Sequence, residues 1–340
     1  VPVELRVIVD GRSLVPQRSG IGTHTAEIAG RLDVAPPPLI ASHAPITDRQ
    51  GIERCRFRVD HAINGIVWQQ MMLPRIADAD VLWSPFGTLP LRLRIPAVVT
   101  VHDYSSLTMP GKHRLKTIAS FNLFIGRSLE RARRVAAVSH SVAEETVRWF
   151  GVPRERIEIV PNGVDDFFRP GGTPGDFILY AGTLEPRKGL DDLFAVWGSL
   201  PAPRPRLVVC GGRGWRVRAP ADVEWTGWVE RERLRELYQR ALLFVYPSRY
   251  EGFGLPPLEA MACGAPVIAT RTGAIPEFAG DAALLIDPGD RGALAESMLR
   301  LLRDPSLRAE LGARGIERAR LYPWDRSARL MTGLLAEAAR

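Results

Sequence analysis

The chain has no apolar run approaching the roughly 20 residues that a bilayer-spanning helix needs, and only three cysteines in 340 residues. The first absence argues against a transmembrane helix. The second removes a disulfide framework: Cys55, Cys210 and Cys263 are odd in number, widely spaced and form no CxxC pair for zinc or redox work. Such sparse cysteine fits a reducing cytoplasm. No charged segment precedes an apolar core at the start, so VPVELRVIVD reads as a strand and not as a secretory leader. Zinc-finger, RNA-recognition and basic-zipper patterns are also missing, so nucleic acid as a partner would rest on charge alone and is not expected. The net charge of +7 fits an anionic substrate or an anionic membrane surface as well.

What is present is a repeated alternation of short apolar strands with amphipathic helices. The first half reads as strands at 5–9, 81–84, 97–101, 135–139 and 157–160, and the second as strands at 177–181, 206–210, 222–226, 242–246, 267–270 and 284–286. Continuous apolar runs of this length, separated by helices, belong to parallel sheets covered on both faces. The fold class is therefore α/β, with two doubly wound, Rossmann-like parallel sheets facing across a cleft. The run FRPGGTPG at 168–175 is the best linker, rich in Pro and Gly. It divides the chain into domains at 1–168 and 169–324, with the last helix, 325–340, expected to cross back to the first.

Several strand ends carry residues suited to chemistry, and ligands of open α/β sheets bind at carboxyl ends. In 242–270, Gly252-Phe253-Gly254 and Leu255 lead into a helix, where bare amide N–H groups can receive an anion. Glu251 stands before that helix and Glu259 on its first turns, each able to accept hydroxyl protons from a sugar. Arg187 and Lys188 open another helix after Gly182-Thr183, where two cations beside a positive helix end make sense if an anion joins them. His102 directly follows a strand. Gly20 and Gly22 form a glycine-rich turn, but Thr25 leaves the dinucleotide motif GxGxxG incomplete, so an NAD-dependent oxidoreductase is a weaker reading. Asp78-Ala79-Asp80 has the form of a DxD metal pair, yet both acids sit where they would punctuate a turn before a strand, and no metal site is expected. The basic amphipathic stretch 111–135 carries Lys112, Arg114 and Lys116 ahead of Phe121 and Phe124. It reads either as a core-facing helix or as a surface for anionic headgroups.

Taken together, these residues resemble the retaining family 4 (group 1) glycosyltransferases of GT-B fold. The carrying motif is Glu251-x7-Glu259 within PSRYEGFGLPPLEAMACGAPVIAT. It is supported by GTLEPRKGL at 182–190, VTVHD at 99–103, VSHSVAEETVRWFGVPRERIEIVPNGVD at 138–165 and YPW at 322–324. The resemblance spans nearly the whole chain. It implies that Lys188 binds the diphosphate of a nucleotide sugar, that Glu251 holds hydroxyls of the transferred sugar and Glu259 the ribose. It also implies that His102 contacts the sugar and that Gly20 and Gly22 line the floor of the site. One departure stands out: members often carry Arg directly after the glycine at 182, and here that residue is Thr183, which leaves Arg187 as the stand-in.

The expected reaction is transfer of a hexose, with retention and without metal or other cofactor, to a glycan or lipid-linked acceptor. Resemblance to mannosyltransferases of bacterial surface-polysaccharide assembly makes GDP-mannose the first donor. A UDP-sugar with a soluble acceptor is the alternative, and a non-catalytic nucleotide-sugar sensor a further one. The expected location is the cytoplasm, peripheral at the inner face of the plasma membrane.

Overall fold

The runs VIVD, VLWS, AVVTV and RVAA show no polar/apolar alternation, and all but one of their residues are buried. Strands of that kind must be covered on both faces. The computed structural model describes residues 2–15, 20–76, 78–109, 111, 124–173, 175–212, 214 and 217–340. It divides the chain into two compact units, Val1–Gly163 with Trp324–Arg340, and Val164–Pro323.

In the first unit the strands form a seven-stranded, all-parallel sheet. Across its width the order is Arg56–Val59, Leu39–Ser42, Val7–Asp10, Val81–Ser84, Ala97–Val101, Arg134–Ala137 and Ile157–Ile159. The second unit holds a six-stranded parallel sheet in the order Glu224–Gly227, Arg206–Cys210, Phe177–Ala181, Leu243–Tyr246, Val267–Thr270 and Leu284–Ile286. In each sheet the chain starts inside, builds toward one edge, then returns to build toward the other. Val7–Asp10 is thus flanked by Leu39–Ser42 and Val81–Ser84, and Phe177–Ala181 by Arg206–Cys210 and Leu243–Tyr246. Where the order reverses, the loops at the carboxyl ends splay apart and leave a crevice.

The division between units precedes the proline- and glycine-rich run that marks it in the sequence. Val164 already bridges to Pro323, and Phe168 is buried edge-on against Tyr238 at 5.9 Å. Burial of Phe168 outweighs the loop-like composition around it, so residues 164–168 belong to the second unit.

The last helix, Trp324–Ala339, belongs to the first unit. Trp324, Ala328, Met331, Leu335 and Ala338 recur at helical spacing and are all buried. Ser327 Oγ donates to the Pro161 carbonyl at 2.5 Å, Asp33 N donates to Thr332 Oγ1 at 3.2 Å, and Arg134 pairs with Glu337 at 2.7 Å. Leu335→Ala should therefore cost about 3 kcal/mol. Hydrogen exchange should show the loss in strands such as Val7–Asp10 of the first unit, and an equal loss confined to the second unit would contradict this placement.

Candidate active site

At the reversal point of the second unit, two loops leave the carboxyl ends of neighbouring strands. Ile178 pairs with Leu243 and Leu179 with Phe244, and this register stacks Tyr180 against Tyr246, with centroids 5.9 Å apart at 13°. The first loop contains a single 3-10 turn, Pro186–Lys188, and ends at Gly189. A Cβ at Gly189, whose φ is +70°, would lie 1.9 Å from the Pro247 carbonyl oxygen, so only glycine lets this loop lie on the second. Gly273 does the same on the far side: its Cβ would fall 2.0 Å from the carbonyl oxygen of Glu251.

This close packing brings Lys188 and Glu251 together, both 8% exposed. Lys188 Nζ donates to Glu251 Oε1 at 2.5 Å and to Tyr246 Oη at 2.9 Å, while the Tyr246 hydroxyl donates to the same Oε1 at 2.9 Å. Arg187 Nε donates to Glu185 at 3.0 Å, and its Nη1 lies 3.7 Å from Glu251 Oε2. Burial pushes the Glu251 carboxyl up, but Lys188 and Arg187 together with hydrogen bonds overcome it and hold the group below the ordinary glutamate range. Burial, with Arg187 beside it, pulls the Lys188 ammonium down against the attraction of Glu251. The result is an ionised carboxylate flanked by two cations at a strand end.

The helix Leu255–Ala262 follows, with Gly254 as its N-cap at φ +98°. Among the described residues no acceptor takes the amide N–H of Gly252, Phe253 or Gly254. The Phe253 side chain is not part of any such surface. It is buried against Phe278 at 5.4 Å, which leaves only its backbone for a ligand. Leu255 and Glu259 are half-buried, and Glu259 Oε2 accepts from Tyr238 Oη at 3.0 Å. Thr183 is exposed.

One expectation is corrected. Arg187 and Lys188 precede the helix Leu190–Ser199 and do not face its positive end unbalanced, because Asp191 and Asp192 occupy its first turn. Buried Asp192 is paired with Arg249 at 2.5 Å and Arg291 at 2.7 Å. Acids in a first turn are what a helix dipole favours. The case for anion binding therefore rests on the loop cations and on the amides of buried residues 252–254, which no described acceptor takes.

His102, Gly20 and Gly22 belong to the first unit. His102 follows the strand Ala97–Val101, and its Nε2–H donates to the Pro85 carbonyl at 2.9 Å. The ring of His24 meets it edge-on at 4.6 Å, and His24 Nδ1–H donates to Asn162 Oδ1 at 2.7 Å. Burial holds both imidazoles neutral, His102 down to about 4 and His24 well below its usual range. Gly20 and Gly22 lie inside a helix, Gly20–Ala29, and not in the turn expected of them. Glycine costs such a helix about 1 kcal/mol, which burial of Ala26, Ile28 and Ala29 offsets. Asp78 and Asp80 are both bonded to Arg6. Lys112, Arg114, Lys116 and Phe121 lie outside the described residues, while Phe124 is half-buried in a helix at 124–131.

Tyr246, Tyr238, His24 and Asn162 were not singled out from the sequence. For Tyr246 a signal existed: it is an aromatic residue with a polar tip at the end of a buried strand, where a hydroxyl needs a partner.

Residues 166–318 match the model of the group 1 glycosyl transferases, and residues 18–166 match that of Glycosyltransferase Family 4. An O-antigen chain mannosyltransferase B of Escherichia coli is 34% identical over 71% of this chain and 70% of its own length. The chain belongs to the group 1, family 4 glycosyltransferases. Other relatives are matched over less of their length. A D-inositol 3-phosphate glycosyltransferase of Xylanimonas cellulosilytica is 34% identical over 61% of this chain and 57% of that protein. Among solved structures, Anabaena HepE in complex with UDP and glucose aligns with a TM-score of 0.79 at 17% identity, covering 98% of this chain and 100% of that one. That likeness gives the fold, GT-B, and its two parallel-sheet α/β domains.

Two outcomes follow from the electrostatics. Glu251→Gln strips buried Lys188 of its counter-charge and should cost about 3 kcal/mol at neutral pH. Because the folded carboxyl titrates below its ordinary 4.5, its contribution is present above that value and is lost as pH falls through the folded pKa. Denaturant titrations of wild type and variant should therefore converge in acid. His102 acts in the same direction at higher pH. The unfolded ring takes its proton near 6.5 and the folded ring only at about 4, so acid destabilises the first unit across that window. His102→Gln should flatten the stability profile there, and an unchanged slope would remove the histidine from the argument.

Proposed function

We propose that the protein transfers a hexose, with retention of configuration and without a metal, from a nucleoside diphosphate sugar to a hydroxyl of a glycan or lipid-linked acceptor. The observation that carries this reading is the buried Lys188–Glu251 pair beside Arg187, at the strand-order reversal and within the segment matched by the group 1 model. In sugar transfer, negative charge gathers on the departing diphosphate as the anomeric carbon becomes cation-like. Lys188, Arg187 and the amides of Gly252–Gly254 are groups that stabilise such charge. A diphosphate arriving at Lys188 competes with Glu251 for its protons, and Tyr246 keeps a hydrogen bond to the carboxylate when it does. Glu251 is then free to accept from a sugar hydroxyl, Glu259 from the ribose, and neutral His102 is a donor or acceptor toward the transferred sugar. The acceptor's proton passes to the leaving phosphate in a same-face attack.

GDP-mannose is the first donor, supported by the mannosyltransferase relative. A UDP-sugar is the second reading, supported by the UDP-bound fold neighbour. Metal independence draws support from the cations already at the site and from the binding of Asp78 and Asp80 by Arg6. Among the described residues no helix is long and apolar enough to cross a membrane. We place the enzyme in the cytoplasm, peripheral at the inner face of the plasma membrane.

A thermal-shift screen against GDP-, UDP- and ADP-sugars tests the donor, because only a ligand of the folded form raises the midpoint. GDP-mannose is expected to give the largest rise, and a flat response to every nucleotide sugar would sink the proposal. With the donor in hand, Lys188→Ala should lower kcat by about 10²–10³-fold. Excess EDTA should leave nucleotide release unchanged.

A further inference from the structure

The short helix Gly65–Met71 leaves three of its four large apolar side chains exposed. Its Trp68 and Gln69 are buried, while Ile66, Val67 and Met71 are 38%, 42% and 55% exposed, and Ile63 just before it is 95% exposed. The orientation is enforced from within. Gln69 Nε2 donates to Asp10 Oδ2 at 3.1 Å and to the Thr88 carbonyl at 2.6 Å. Asp10 in turn takes a bidentate contact from buried Arg12, whose Nη2 also reaches Thr88 Oγ1 at 3.2 Å. Rotating the helix to hide Ile66 and Val67 would strip a buried carboxamide of these partners, which costs more than the apolar burial regains. The outward apolar face is therefore locked in place.

The same surface continues across the segment that follows Val81–Ser84. Leu91 N donates to Gln70 Oε1 at 2.9 Å, and Gln70 Nε2 reaches the Leu89 carbonyl at 3.3 Å, so exposed Leu91 adjoins the helix. Exposed Phe86 lies 5.0 Å from the Arg12 guanidinium, and a Cβ at Gly65 would lie 3.1 Å from Arg12 Cδ. Around this apolar surface Arg75, Arg92 and Arg94 are exposed, and no ion pair holds them among the described residues. From 61 to 102 the acids are Asp78 and Asp80, both taken by Arg6.

We propose that this face docks on an anionic lipid bilayer. Ile63, Ile66, Val67 and Met71 enter the headgroup–acyl boundary, and Arg75, Arg92 and Arg94 meet lipid phosphates. Apolar groups flanked by unpaired cations, with no free acid between, match an anionic interface. The proposal rests on the reading of the enzyme as one that works where a membrane presents its acceptor.

The test is sedimentation of the full chain with vesicles of phosphatidylglycerol and phosphatidylcholine, or of phosphatidylcholine alone. Light scattering and donor hydrolysis are measured on the same preparations. Wild type should pellet with the anionic vesicles and release them at high salt. The double variant Ile66→Asp, Met71→Asp should bind about ten-fold more weakly and keep its melting temperature and donor hydrolysis. Arg92→Ser with Arg94→Ser should weaken binding to anionic vesicles without changing the oligomeric state. The proposal is overturned if wild type stays in solution or if both variants bind as wild type does. It is equally overturned if scattering shows a dimer that Ile66→Asp, Met71→Asp splits. Should wild type bind vesicles yet hydrolyse no nucleotide sugar, the enzymatic reading fails and the docking surface stands.

Discussion

The second unit depends on one interaction, the ion pair between Lys188 and Glu251 inside a shell of aromatic side chains. Taking both charges out of water costs several kcal/mol each. The cost is tolerable only because Tyr246 adds two further hydrogen bonds and Arg187 a second positive charge. For all of these groups to meet, strands Phe177–Ala181 and Leu243–Tyr246 must pair in register, and Gly189 and Gly273 must let backbone approach backbone. A pair held this way suits an incoming diphosphate. On the proposed reading, a phosphate would replace one buried anion by another and leave Lys188 compensated throughout.

The first unit solves a related problem with neutral groups. Half-buried His102 meets buried His24 edge-on and both stay unprotonated, while Asp10 and Arg12 neutralise each other at the end of the first strand. In both sheets the polar side chains gather at carboxyl ends where the strand order reverses. Backbone groups there are no longer consumed by the ladder, and loops diverge enough to admit a ligand. The fold supplies the crevice, and the residues placed in it supply the chemistry.

Much of this was legible along the chain. Glu251, Glu259, Gly252 and Gly254 sit in one contiguous segment, and Arg187 and Lys188 in another, each directly after an unmistakable apolar strand. Local signals of strand, loop and helix start suffice for such positions. Tyr246 and Tyr238 escaped because a tyrosine in a buried strand or helix reads as core, and only three-dimensional packing reveals which carboxylate its hydroxyl meets. Phe253 was read for its backbone N–H between two glycines, and the structure adds that its ring fills the core against Phe278. Asp191 and Asp192 were overlooked beside the more eye-catching Arg-Lys pair.

Local periodicity and contiguous motifs already carry the alternation of strand and helix, the two parallel sheets and the family. That Lys188 and Glu251 bind each other, 63 residues apart, and that Phe168 joins the second unit are outcomes of tertiary packing. It also decided that the helix Gly65–Met71 presents its apolar side outward. In each case the outcome depends on which distant group satisfies a buried charge, amide or ring, and sequence spacing carries no record of that.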